Sequence, residues 1–313
     1  MNEMIITAIN EIEKVIVGKR TVVEKILTAI LADGHILLDD VPGVGKTTMA
    51  VAISQTLGLN FGRIQFTPDV LPSDITGFSM YNKETGKLDY IPGAAAGVNL
   101  LLGDEINRTS SKTQSALLEA MEEGQTTVDG KTHALKTPFI VIATQNNVGT
   151  AGTQLLPYAQ LDRFLVKLSI GYPDLKAEME VIRGRQTENP VKNAENVATV
   201  EDVLRMQGEV IRVTVKDSII DYIARLAEQS RRHDLLELGI SPRGSLFVNK
   251  AAKARAYVSG RDYVIPEDIH SVFVDVCSHR ILLSPTARSG KVTAGQVLRS
   301  LLEIVTVPNG AAK

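Results

Sequence analysis

Residues 35–47 read His35-Ile36-Leu37-Leu38-Asp39-Asp40-Val41-Pro42-Gly43-Val44-Gly45-Lys46-Thr47. An apolar run of strand length enters a glycine-rich turn, and a helical segment over 47–57 follows. That is the context a phosphate-binding loop requires. Gly43 and Gly45 let backbone N–H groups wrap phosphate oxygens. The helix start at Lys46-Thr47 adds its unpaired donors and its positive dipole end. Lys46 would contact β- and γ-phosphates, and the Thr47 hydroxyl would ligate Mg²⁺. The strict pattern has glycine where this chain has Asp40. A carboxylate beside a triphosphate is repulsive, so Asp40 should point away from the loop's interior.

Working outward, apolar runs at 63–66, 98–102, 139–143 and 164–168 have strand length. Helical periodicity marks 3–16, 20–32 and 111–123. Short buried strands alternating with helices predict an α/β fold, a parallel sheet sandwiched by helices. Two stretches interrupt it. Residues 71–97 are rich in glycine and proline and predict a hairpin. Residues 125–138 carry Asp129-Gly130 between strand-like runs, a two-residue hairpin signal. After Tyr172-Pro173 the pattern turns helical, over 174–186, 200–210, 216–230, 245–259 and 266–281. The expected division is therefore 1–172 and 173–313. A polar connector lies at 188–193, and 310–313 read as a frayed tail.

Two further signals follow in chain order. Leu100-Leu101-Leu102-Gly103-Asp104-Glu105 is an apolar strand ending in two carboxylates, a Walker B pattern. Asp104 would hold Mg²⁺ directly or through water, and Glu105 would orient and polarise an attacking water. Ala143-Thr144-Gln145-Asn146 ends the next strand. There Asn146 can hydrogen-bond that water and the γ-phosphate.

Composition narrows the alternatives. Of 313 residues, 44 % are apolar and 22 % charged, ordinary for a globular chain of about two domains. Lys and Arg number 34 against 36 Asp and Glu, a net charge of −2, and aromatics are 4 % with no Trp. Neither a basic excess nor a base-stacking platform is present, so nucleic acid is not an expected partner. The one cysteine, Cys277, excludes an intrachain disulfide and reads as a buried structural thiol. The histidines show no metal-ligand spacing with it. No apolar run approaches a membrane span and no signal peptide is evident, so a cytoplasmic location is expected.

Taken together, these strings resemble the AAA+ ATPases and, within them, the MoxR family. The resemblance runs over about 5–307. It includes Val15-Ile16-Val17-Gly18, the loop string, Arg63-Ile64-Gln65-Phe66-Thr67-Pro68-Asp69, Gly103-Asp104-Glu105-Ile106-Asn107-Arg108, Leu161-Asp162-Arg163-Phe164 and Ser241-Pro242-Arg243. It implies a C-terminal all-helical lid domain and a ring, usually hexameric, with ATP and Mg²⁺ bound between subunits. Pro42, Gly43, Val44, Gly45, Lys46, Thr47 and Thr48 would cradle the phosphates, and Val17 and Gly18 would line the adenine pocket. Asn146 would be sensor 1, Arg163 the arginine finger reaching a neighbour's γ-phosphate, and Arg243 sensor 2. Arg108 is a second candidate trans-acting cation. The two hairpins resemble the family's helix-2 insertion and its hairpin before sensor 1.

The family's activity implies chaperone-like remodelling or maturation of partner proteins, including metal insertion, with von Willebrand factor A domain proteins as clients. A nucleic-acid-remodelling motor, a magnesium-chelatase-type motor subunit and a nucleotide-gated scaffold are the alternatives. The chain departs from the family at Gly103, Ala94-Ala95-Ala96, Asn147 and Tyr158. These changes spare the expected phosphate and Mg²⁺ contacts and bear on regulation and the subunit edge.

Overall fold

The computed structural model describes residues 3–146, 156–184 and 194–308; Asn147, the connector at 188–193 and the tail at 310–313 lie outside them. Two amphipathic helices open the chain, α1 (Glu3–Val15) and α2 (Arg20–Leu31). A five-stranded sheet follows, built from β1 (Ile36–Asp39), β2 (Phe61–Gln65), β5 (Leu100–Asp104), β8 (Ile140–Gln145) and β9 (Val166–Leu168). Its order is β2-β5-β8-β1-β9 and every pairing is parallel.

Strand periodicity decides which helices cover which face. Leu38, Leu100, Leu102, Ile140 and Ile142 enter one apolar cluster with α1, α2 and α3 (Lys46–Thr56). Leu37, Leu101, Val141 and Ala143 point the other way, onto α5 (Ser111–Glu123) and Phe66. Helix α5 starts on the Ser110 hydroxyl, which accepts from the Thr113 N–H, and stops at Gly124 in the left-handed region. The strand at 98–102 starts two residues late because Asn99 is buried and spends its side chain on Pro138 and Asn60. It continues to Asp104 because its ladder with β2 runs through Gln65 opposite Asp104.

Between β2 and β5 stand α4 (Pro72–Thr76) and a hairpin of β3 (Phe78–Asn82) and β4 (Lys87–Ile91). A second hairpin joins β6 (Gln125–Val128) to β7 (Lys131–Ala134). Asp129 and Gly130 both take positive φ there, 49° and 74°, the geometry of a two-residue turn matched to strand twist. The hairpins touch where Tyr90 stacks on His133 at 3.7 Å.

Short α6 (Tyr158–Leu161) precedes β9. Beyond β9 come α7 (Leu175–Gly184), α8 (Val200–Ile211), α9 (Asp217–Arg231), α10 (Pro242–Val258), α11 (Pro266–Cys277), α12 (Pro285–Ser289) and α13 (Ala294–Ile304). One departure from a purely helical reading is a small antiparallel ladder of β10 (Leu236–Leu238) and β11 (Leu282–Leu283). Strands of two and three residues carry no alternation to read, and only the long-range pairing creates them. Helix α10 starts three residues earlier than its periodicity suggests, because Ser241 caps it and Pro242 occupies its first turn. The apolar cluster of α1–α3 continues into α8–α11 and α13, so sheet and lid share one core.

Candidate active site

The carboxyl ends of neighbouring strands β5, β8 and β1 bring together residues far apart in sequence. Ligand crevices in open parallel sheets lie at such ends. From β1 the chain turns through Pro42, Gly43, Val44 and Gly45, with φ of 86° at Gly43 and 91° at Gly45. A Cβ at either glycine would meet nothing within 4 Å. It is the backbone conformation, not crowding, that demands glycine at both positions. Val44 leans on the core. Gly45 is the N-cap of α3 and offers no side-chain acceptor, so the helix's first N–H groups, at Lys46, Thr47 and Thr48, carry its positive end toward the loop.

Lys46 is 8 % exposed. Its ammonium donates to the Asp40 carbonyl at 2.9 Å and, in a short contact, to Asn146 Oδ1. Burial pulls its pKa below the ordinary lysine value, against the opposing charges of Asp40, Asp104, Asp39 and Glu105. The Asp40 carboxylate faces outward. It accepts from Ser169 Oγ at 3.1 Å, from the Gly171 N–H at 2.9 Å and from the Ile170 N–H. The expected repulsion is thus avoided, and the carboxylate ties the loop to the segment leading into the lid.

Asp104 Oδ2 accepts from Thr47 Oγ1 at 3.2 Å and from Arg63 Nη2 at 2.9 Å, and its Oδ1 accepts from Thr144 Oγ1 at 2.8 Å. Thr144 Oγ1 in turn accepts from the Glu105 N–H at 2.9 Å. Glu105 has φ of 57°, which turns the chain sharply after the strand. Its Oε1 accepts from Asn146 Nδ2 at 2.7 Å, and its Oε2 from Arg108 at 2.8 Å and Gln65 at 3.3 Å. Asn146 therefore bridges Lys46 and Glu105, oxygen toward the cation and NH₂ toward the carboxylate. The flipped amide would oppose like with like at both ends.

These residues fit a Mg²⁺–nucleotide. The Thr47 hydroxyl and Asp104 carboxylate form a hard-oxygen pair, the donor chemistry Mg²⁺ takes. Val17 and Gly18 lie at the turn between α1 and α2. Gly18, at φ 72°, sits so close to α7 that a Cβ would come within 3.0 Å of Ala177. Neighbouring Lys19 donates to the Tyr172 carbonyl at 2.7 Å, so this turn and the Asp40 carboxylate hold the same segment, 169–172.

Arg163 and Arg243 belong to a different network. Glu122 bridges them, with Oε2 3.0 Å from Arg163 and Oε1 2.9 Å from Arg243. Arg163 also donates to the Leu118 carbonyl at 2.8 Å. Both line an open cavity of about 500 Å³ with Lys250 and Phe247. Arg108 is paired with its own chain's Glu105. Tyr158 is exposed at the start of α6.

Three participants have no role assignable from the sequence alone. Arg63 and Gln65 project together at the end of β2, and a charge inside an apolar strand was the available signal. Glu122 gives none, because its partners Arg163 and Arg243 lie 41 and 121 residues distant. Among the described residues no helix is long and apolar enough to cross a membrane.

The model of the ATPase family associated with various cellular activities (AAA) matches residues 35–166, and that of the AAA lid domain matches 228–301. The chain is 49 % identical over 301 residues to the protein YeaC of Bacillus subtilis, spanning 96 % of this chain and 94 % of that one. It is 38 % identical over 310 residues to Chaperone MoxR1 of Mycobacterium tuberculosis, spanning 96 % and 81 %. A candidate ATPase of Cytophaga hutchinsonii, known from its crystal structure, superposes with a TM-score of 0.90 at 38 % identity, over 98 % of this chain and 95 % of that one. Fold and site thus define an AAA+ ATPase, an ATP-hydrolysing enzyme. Within that class the chain belongs to the MoxR family.

Proposed function

We propose that this chain hydrolyses Mg²⁺-bound ATP at sites completed between subunits of a ring, a hexamer by family resemblance, and uses the cycle to remodel partner proteins. One observation carries the reading. The phosphate-side residues and the two arginines belong to separate networks of the same chain, Lys46–Asn146–Glu105 in one and Arg163–Glu122–Arg243 in the other. A neighbour presenting its arginines to the first network would complete the site.

In that site Gly43, Gly45 and the start of α3 hold the phosphates, and Val17 and Gly18 flank the base. Mg²⁺, held by Thr47 and Asp104, supplies charge neutralisation on the phosphate oxygens. Glu105 positions the attacking water and takes its proton, and Asn146 aligns that carboxylate with the γ-phosphate bound by Lys46. Arg163 and Arg243 stabilise charge on the transferring phosphoryl from across the interface, a contribution of about 10³–10⁵ in rate for such a finger. Arg163→Ala and Arg243→Ala should therefore lose turnover while binding ATP as before. A variant that keeps full turnover would remove that arginine from the site.

The name of Chaperone MoxR1 supports a chaperone-like output. For the client, a von Willebrand factor A domain protein whose maturation includes metal insertion is the partner to seek. Glu105→Gln protein with ATP should trap it in a pull-down, and recovery of no such protein would count against this client.

A further inference from the structure

The chain holds a buried arginine that neither network uses. Arg280 follows α11 and its side chain is 1 % exposed. A buried guanidinium is costly unless its donors are satisfied. Arg280 Nε donates to Asp162 Oδ1 at 2.9 Å, Nη2 to the Asp162 carbonyl at 3.1 Å, and Nη1 to the Leu165 carbonyl at 3.2 Å. Shorter contacts reach the carbonyls of Phe164 and Val276. Its face covers the Phe247 ring of α10, 4.7 Å from the centroid, and His279 Nε2 also lies 3.0 Å from the Phe164 carbonyl. Apart from its contacts with Val276 and the adjacent His279, these donors go to residues 162, 164 and 165, which flank Arg163 on both sides.

We propose that Arg280 is a positioning residue for Arg163: the lid grips the backbone around Arg163 through one buried guanidinium, so that the lid's placement sets where that arginine is presented to the neighbouring subunit. The inference rests on the reading of Arg163 as a trans-acting group. The chemistry requires arginine. Lysine offers three donors from one point and cannot span a carboxylate and carbonyls spread over four residues. Asp162 completes the link, because its second oxygen lies 3.9 Å from Arg243 Nε on the lid. A lid displaced from the sheet would drag Arg163 with it, and a displacement of about 1 Å at a reacting group can cost about 10²-fold in rate.

The test is complementation in co-assembled rings. Arg280→Lys alone should lose about 10²-fold in kcat while its ATP affinity and KM stay within about threefold. Co-expressed with Lys46→Ala, which cannot bind ATP productively but presents an intact Arg163, it should regain activity well above the sum of the two parents. The paired control is Arg163→Ala with Lys46→Ala. If the control complements and Arg280→Lys does not, the proposal is overturned. If the control also fails, the trans reading of Arg163 falls, and this proposal with it. Should Arg280→Lys fold poorly, Asp162→Asn, which removes only the partially exposed carboxylate, takes its place. It should show the same kcat loss and rescue in weaker form, and normal turnover in Asp162→Asn would equally overturn the proposal.

Discussion

Asn146 donates to Glu105 across 2.7 Å while its amide oxygen faces the Lys46 ammonium, so one neutral side chain fixes both the phosphate-binding cation and the water-orienting carboxylate. Asn146→Ala should leave nucleotide binding within a few-fold and lower turnover by about 10²–10³-fold, the usual effect of removing one preorganised donor. Asn146→Asp discriminates further. It keeps an oxygen for Lys46 but sets a second carboxylate against Glu105, and its turnover should be no better. Single-turnover hydrolysis beside analogue binding separates the two effects, and an active Asn146→Asp would refute the bridging role.

Asp40 occupies a position where the strict loop pattern has glycine, and its carboxylate is committed to residues 169–171. Asp40→Gly restores the pattern yet removes an anchor between loop and lid. It should lower stability by about 1.5–3 kcal/mol, the range for hydrogen bonds to a charged group, with the phosphate donors intact. Chemical denaturation with and without nucleotide checks this. A gain in stability would show that Asp40 contributes nothing through these contacts.

Arg63 holds the same Asp104 oxygen that Thr47 reaches, at 2.9 Å. It therefore competes with a divalent cation for that oxygen. The arginine is about half exposed, so the pair contributes only about 0–1 kcal/mol. Arg63→Ala should lower the half-saturating Mg²⁺ concentration for ATPase activity by up to about fivefold. An unchanged Mg²⁺ dependence with lost turnover would make Arg63 a phosphate contact instead.

Burial keeps His35 and His279 neutral, pushing both below the ordinary histidine pKa of 6.5 and His279 well below it; for His279 the adjacent Arg280 charge acts in the same direction. Below about 6.5 the unfolded chain takes up protons that the folded chain refuses, so stability is full above that pH and falls as the pH is lowered. The melting temperature should drop between pH 7 and 5. His279→Gln, which keeps a donor for the Phe164 carbonyl, should shallow that decline. A decline of equal slope would assign it to other groups.

Much of this was legible along the chain because it is local. The loop at 40–47 lies in one stretch, Asp129-Gly130 dictates its own turn, and the apolar residues of the four later strand runs sit in the sheet or beside it. Cys277 reads as core from its neighbours, and desolvation does push its thiol up to about 12. What was hidden depends on contacts between distant elements. Glu122 looks like an ordinary helix-end carboxylate until Arg243 arrives 121 residues later. Arg280 looks like a surface charge near a helix end until the chain folds it onto residues 162–165. The β10–β11 ladder is too short to show any period. Sequence pattern records what each segment does alone, and the arginine network is made of pairings between segments.

If hydrolysis needs two subunits, with Arg163 presented by a neighbour, turnover must follow assembly. This is tested most directly by ATPase activity per subunit, with Mg²⁺, across protein concentrations where sedimentation velocity tracks the passage from monomer to assembly. Activity should rise with the assembled fraction and be lost in Arg163→Ala at every concentration. Full activity per subunit in a solution that sediments as monomer would contradict it.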